Sequence, residues 1–220
     1  MDNILTNFKL ALAKNNGSFF EHDIICNNEL VRLRPLNAED MSVFARFSSD
    51  QAIWKYFPIK MRQVQDMNNY VDEAIQQRKL GLRYHFAIEE QKTGKIVGST
   101  AFGNYSPKDR RIEIGWSWIE TLFQGSGINK NAKFLLLHFA FDYLNMERVE
   151  FKTDALNVRA RGGLVKIGAT EEGMLRSHTL MPDDRRRDTV YYSILKDEWD
   201  TKLRLNFSDC MYSVKISKVT

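Results

Sequence analysis

Cysteine is nearly absent: Cys26 and Cys210 are the only two among 220 residues, and they stand far apart without metal-ligand spacing. That argues against a cysteine-built metal site and suits a reducing compartment with free thiols. Long apolar runs are missing too. No segment approaches the ~20 apolar residues that a membrane span needs. Asp2 and Lys9 interrupt the apolar positions of the first twenty residues, so the plan of a signal peptide is missing. These absences predict a soluble, cytoplasmic protein with no membrane partner. There is no internal repeat or low-complexity segment. A phosphate loop is also missing, because no Gly-Lys-Ser/Thr follows Gly125 and Gly127, which stand too close together for one. A charge excess of one sign is small, at +4. It fits a basic pocket for an anionic cofactor, a loose affinity for RNA or ribosomes, or solvated surface lysines and arginines. No specific nucleic acid is expected as a partner.

What is present can fold. A content of 43% hydrophobic and 12% aromatic residues is enough for a core. Residues 1–28 read as an N-terminal extension in which Ile4, Leu5, Phe8 and Leu12 give a short amphipathic helix, broken by Asn15-Asn16-Gly17-Ser18. Leu30 to Leu36 reads as a strand that Pro35 ends. Asn37 is placed to cap a helix over Ala38 to Phe47, with Asp40 at its third position. A second helix is predicted from Gln63 to Lys79. Between them, Ser48 to Arg62 reads as a loop whose Trp54, Tyr56 and Phe57 either line a pocket or cover the core. Tyr84 to Glu90, Lys95 to Tyr105 and Arg111 to Ile119 read as three antiparallel strands separated by turns. An apolar helix spans Lys130 to Leu144, followed by a strand at Arg148 to Thr153 and a helix at Asn157 to Ile167. The Gly162-Gly163 pair inside that helix suggests close approach to a neighbour or a cofactor. A hairpin, Thr170 to Leu180 and Thr189 to Lys196, closes the order. Residues 201–220 read as a C-terminal extension with some strand character. This order predicts an α/β (α+β) fold with a mixed, mostly antiparallel sheet of about seven strands and about four helices.

The stretch that organises the chain is Gln124-Gly125-Ser126-Gly127-Ile128-Asn129. Two glycines stand between a strand and a helix N-terminus, where backbone N–H groups lack internal partners and the helix dipole is positive. Such a turn lets a phosphate approach closely. A dinucleotide dehydrogenase is disfavoured, because the strands before the turn look antiparallel.

The order strand, Gln124-x-x-Gly127-x-Asn129, helix, strand, then an Asn157-bearing helix resembles the coenzyme A site of the GNAT N-acetyltransferase superfamily. Its signature is Q/R-x-x-G-x-G/A; Gln124 and Gly127 fit, and Asn129 stands where Gly or Ala is usual. Asp154, Asn157, Lys166, Gly168 and Ala169 match the second element, with Ala160 replacing a Ser. The resemblance covers about Glu29 to Trp199, which makes residues 29–200 the expected acetyltransferase domain. Val31-Arg32-Leu33-Arg34-Pro35 and Asp188-Thr189-Val190-Tyr191-Tyr192-Ser193 make it most similar to the branch with the ribosomal-protein alanine N-acetyltransferases.

The resemblance implies acetyl-CoA as cosubstrate and no metal. It assigns the pyrophosphate to N–H groups of Gly125, Ser126, Gly127, Ile128, Asn129 and Lys130, with Gln124 reaching the same phosphates. It assigns the pantetheine arm to the edge at Trp118, Ile119 and Glu120, and to Asn157. It implies an acceptor pocket shaped by the segment with Trp54, Tyr56 and Phe57. A neutral amine would attack the thioester directly, and Glu113 is the expected base because it lies on the strand leading to the cofactor. Tyr191 or Tyr192 is the expected acid for the thiolate, with Tyr143 as another candidate and water as a third. His138 and His178 read as structural. The acceptor is a primary amine, either a protein N-terminus or a small amine such as a polyamine or antibiotic, the latter favoured by a distinctly acidic pocket. A non-catalytic acyl-CoA-binding module is the remaining alternative, favoured by Ala160 and Asn129. Homodimers are common in the family.

Overall fold

The computed structural model describes residues 18–204 and 212–218. The segment with Ile4, Leu5, Phe8 and Leu12 lies outside the described residues. Nine strands form one sheet in the order β7-β8-β6-β5-β4-β3-β2-β1-β9. They are β1 (His22–Asn28), β2 (Val31–Pro35), β3 (Arg83–Glu90), β4 (Ile96–Ser106), β5 (Arg111–Ile119), β6 (Arg148–Asp154), β7 (Thr170–Leu180), β8 (Arg186–Leu195) and β9 (Tyr212–Lys218). The helices are α1 (Met41–Phe44), α2 (Gln51–Trp54), α3 (Val64–Lys79), α4 (Ile128–His138), α5 (Val158–Lys166) and α6 (Lys196–Glu198). The class is the mixed α/β one that the element order predicts, with more strands than expected.

The two added strands come from the terminal segments. β1 lies inside the stretch read as an extension at 1–28, pairs with β2, and takes β9 along its other edge from His22↔Lys218 to Asn28↔Tyr212. The acetyltransferase sheet therefore reaches beyond residue 29 on one side and residue 200 on the other.

Local chemistry explains the first helical stretch. The Asn37 side chain accepts from the Glu39 N–H, and the Asp40 carboxylate accepts in return from the Asn37 N–H at 3.0 Å. Within the segment read as a loop, Asp50 caps the four-residue α2 by accepting from the Ala52 N–H. Trp54, expected among the acceptor-pocket residues, is instead buried in the core. Its indole N–H donates to the Phe47 carbonyl at 2.8 Å and its ring packs on Trp118.

The sheet has a core on each face. On one, α4 and α5 cover Ile112, Ile114, Val149, Phe151, Val190, Tyr192 and Ile194. On the other, α1, α2 and α3 cover Ala87, Ile96 and Trp118. Alternation along each strand then assigns the remaining side chains to a face.

Candidate active site

All neighbouring strands are antiparallel except β5 and β6, which run parallel. That pairing holds only from Arg111↔Arg148 to Glu113↔Glu150, although β5 continues to Ile119 and β6 to Asp154. The two strands diverge beyond it. A bulge contributes to the split: Ser99↔Trp118 and Ala101↔Gly115 leave two residues of β5 opposite one of β4. Trp116 sits in that bulge with φ of 51°, a conformation rare for a bulky residue. A cleft of about 640 Å³ fills the gap and reaches both faces of the sheet.

At one end of the cleft stands the glycine turn. Gly125 and Gly127 have φ of 85° and 91°, the left-handed region in which a side chain is strained. Gly127 is the N-cap of α4, and the first intrahelical bond runs from the Asn131 N–H to its carbonyl at 3.0 Å. The N–H groups before that bond therefore point out of the helix end. Gln124, Gly125 and Asn129 line the cleft; Ser126 is turned back, its hydroxyl donating to the Phe123 carbonyl. Gln124 donates from its amide to the Ile119 carbonyl at 3.0 Å, which ties the turn to the end of β5. Lys133, one helical turn in, lines the cleft with its ammonium 2.8 Å from the Asn129 side-chain oxygen; burial pushes its pKa down to about 8. These donors and this cation fit a phosphate. A Cβ at Gly125 would meet nothing within 4 Å, so an anion has room to approach the turn there.

Trp118 and Ile119 line the middle of the cleft, whereas Glu120 faces away toward Arg46 at 3.4 Å. Asn157 lines it from the start of α5, where its side chain also caps the helix by accepting from the Ala160 N–H. Both expected roles of Asn157 are compatible with that position. Gly163 lines the cleft as well. A Cβ at Gly162 or Gly163 would meet nothing within 4 Å, so the pair does not serve close packing within the chain.

The floor on the other face is polar. Glu113, only 5% exposed, faces the cleft with Oε2 accepting from Lys152 and from Asn104, each at 2.6 Å. Its Oε1 carries no hydrogen bond among the described residues and lies beside Gly115, where an added Cβ would come within 3.1 Å. Glycine there keeps that oxygen open. Asp154 accepts from Arg185 and from the Leu156 N–H. Thr189 and His178 share a hydrogen bond at 3.1 Å, and both line the cleft, so His178 belongs to the site wall. Tyr56 and Phe57 line the mouth.

Neither expected tyrosine lines the cleft. Tyr192 has the parity of Val190 and Ile194, is buried under α5, and donates to Glu171 at 2.6 Å while accepting from Arg161. Burial, then the Glu171 carboxylate, raises its pKa, which makes it a poor acid. Tyr191 faces the polar floor but sits behind Lys152, whose ammonium lies 5.0 Å from its ring. Tyr143 stacks on Phe139 at 5.4 Å in the core.

The residues that sequence reasoning missed are Asn104, Lys133, Lys152 and Arg187. Lys133 carried a usable signal, one turn after Asn129 on the same helix face. The others lie on strands distant in sequence.

Comparison with known proteins agrees with this geometry. Residues 31–170 match the acetyltransferase (GNAT) domain family. YdaF of Bacillus subtilis (strain 168), named a candidate ribosomal N-acetyltransferase, is 36% identical over 107 residues, or 49% of this chain and 57% of that protein. The aligned part thus spans just over half the length of that relative. A GCN5-related N-acetyltransferase from Brucella melitensis superposes with a TM-score of 0.77 at 25% identity, covering 84% of this chain and 83% of the other. RimJ of Mycobacterium smegmatis, solved with CoA-disulfide, shares the fold at a TM-score of 0.73 and 21% identity, covering 87% and 95% of the two chains. The chain belongs to the GNAT acetyltransferase family.

Proposed function

We propose that this acetyltransferase moves the acetyl group of acetyl-CoA onto a primary amine, with a protein N-terminus as acceptor. The observation that carries the reading is the continuity of the cleft. The α4 glycine turn opens on one face of the sheet, Glu113 lies on the other, and the split between β5 and β6 joins them. The chain's own groups divide the work. First-turn N–H groups of α4, with Gln124 and Lys133, would hold the diphosphate. The exposed edge at Trp118 and Ile119 would pair with the amides of the pantetheine arm. Bound acetyl-CoA supplies the thioester carbon. Glu113 Oε1 is open to take a proton from the substrate ammonium, directly or through water, so that the neutral amine can attack the thioester. A backbone N–H near the β5 bulge would steady the oxyanion. With both tyrosines outside the cleft, solvent is the proton source for the departing thiolate.

A protein acceptor is supported by the similarity to YdaF, named for ribosomal acetylation, and by the cleft's charge. Glu113 and Asp154 are each paired with a cation, so the floor lacks the acidic excess that a polyamine site would need. A buried free Cys26 suits a reducing, cytoplasmic setting.

Calorimetric titration with coenzyme A and acetyl-CoA, repeated on Gly127→Glu, tests the cofactor. The substitution adds a strained side chain and a negative charge where phosphate would sit. Binding by the natural protein and loss of it in a folded variant is expected, followed by thiol release with N-terminal peptides. A natural protein that binds neither ligand would overturn the proposal.

A further inference from the structure

We propose that Arg187 selects the acceptor by receiving a carboxylate that the amine substrate carries, an inference that rests on the acetyl-transfer reading above. Arg187 is on β8 with the parity of Thr189 and Tyr191, opposite to Val190, Tyr192 and Ile194 of the helix-covered core. It therefore shares the face of Glu113 and Lys152, where the acceptor would enter, and it lines the cleft. The residue is only 9% exposed, yet its buried Nε has no hydrogen-bond partner among the described residues. Among the described residues its guanidinium makes no ion pair. Burial first, and then the neighbouring Arg185 cation, push its pKa below the usual arginine value, against the pull of Asp154, Glu113 and Tyr191.

The neighbouring carboxylates are already engaged. Asp154 is held by Arg185 and the Leu156 N–H, and Glu113 Oε2 by Lys152 and Asn104. Arg187 is thus an unbalanced cation on this floor. Leaving a buried charge uncompensated is costly unless a ligand completes it. A guanidinium with open donors matches the two oxygens of a carboxylate. The coenzyme's phosphates do not fill the role, since the α4 turn that would hold them opens on the opposite face.

Two sources of carboxylate are chemically equivalent at Arg187: an acidic side chain near a peptide N-terminus, and the α-carboxylate of a free amino acid. The test is calorimetric titration of the coenzyme A-bound protein, which needs no turnover. Ala-Glu-amide is compared with Ala-Gln-amide, and alanine with alaninamide. In the natural protein the carboxylate member of one pair should bind about ten- to a hundredfold more tightly. The pair that shows the preference identifies the source. Arg187→Gln should abolish the preference while coenzyme A binding stays intact, and Arg187→Lys should restore it in part. The thermal midpoint of Arg187→Gln should hold or rise, because an unpaired buried charge is removed. Equal binding of both members of each pair, or no binding of any of them, would overturn the proposal. So would a preference that survives in Arg187→Gln. Coenzyme binding and thiol release would then still decide the acetyl-transfer reading separately.

Discussion

Lys133 shows how burial on a short helix turn can be used. Its folded pKa of about 8 lies below that of an unfolded lysine, so at pH 8 to 9 much of it is uncharged. A phosphate bound at the α4 turn would favour the charged form and raise that pKa. Coenzyme binding should therefore take up protons in this window, and affinity should fall as pH rises through it. Titrations at pH 8.5 in buffers of different ionisation enthalpy measure the uptake, and Lys133→Met should remove it. The contrast with Glu113 bears on what a sequence shows. Glu113 was legible because it lies on the strand that leads into the glycine turn, a relation local in the chain. Lys152 and Arg187 were not, because their meaning depends on which strands are neighbours and which face each residue takes. Parity along one strand is readable; the order of strands is not.

At the scale of elements, the strands from Val31 to Leu195 and the long helices were legible from alternation, periodicity and caps, whereas β9 showed only some strand character. Arg111–Ile119 falls where alternation predicts it. β1 escaped because its buried positions are His22, Ile24, Cys26 and Asn28, half of them polar, so hydropathy alone hides the alternation. α2 is four residues long, too short to show a helical period. The bulge at Trp116 has no sequence signature, yet the cleft depends on it. Close pairing of β4 and β5 makes the opposite demand nearby: a Cβ at Gly98 would lie 2.3 Å from the Trp118 carbonyl oxygen. Backbone cannot yield as a side-chain tip can. Gly98→Ala should cost about 1–3 kcal/mol of stability and weaken coenzyme binding by shifting the Trp118 edge. Chemical denaturation and the coenzyme titration read the two effects, and an unchanged denaturation midpoint would refute the packing argument.

Across the whole molecule, the terminal strands are tied to the cofactor end of the cleft. The Asn28 amide donates to the Asn131 side-chain oxygen at 2.8 Å, and the Asn131 amide donates to the Gly127 carbonyl at 3.0 Å. Removing residues 205–220 should expose the outer edge of β1, lower the thermal midpoint and raise amide exchange in β1 first, with the α4 turn following. Exchange confined to β7 and β8 would contradict that link. The pairing of β1 with β9 also sets the order of events during folding. The hydrogen bond between Asn27 and Ser213 spans 186 residues, so the chain must close a loop of nearly its full length to form it. Contacts of such long range come at the greatest loop entropy and tend to appear late. A refolding chain should therefore assemble β2 to β6 and bind coenzyme while its outermost strand is still undocked, and nucleotide in the refolding mixture should then draw the last strand into place.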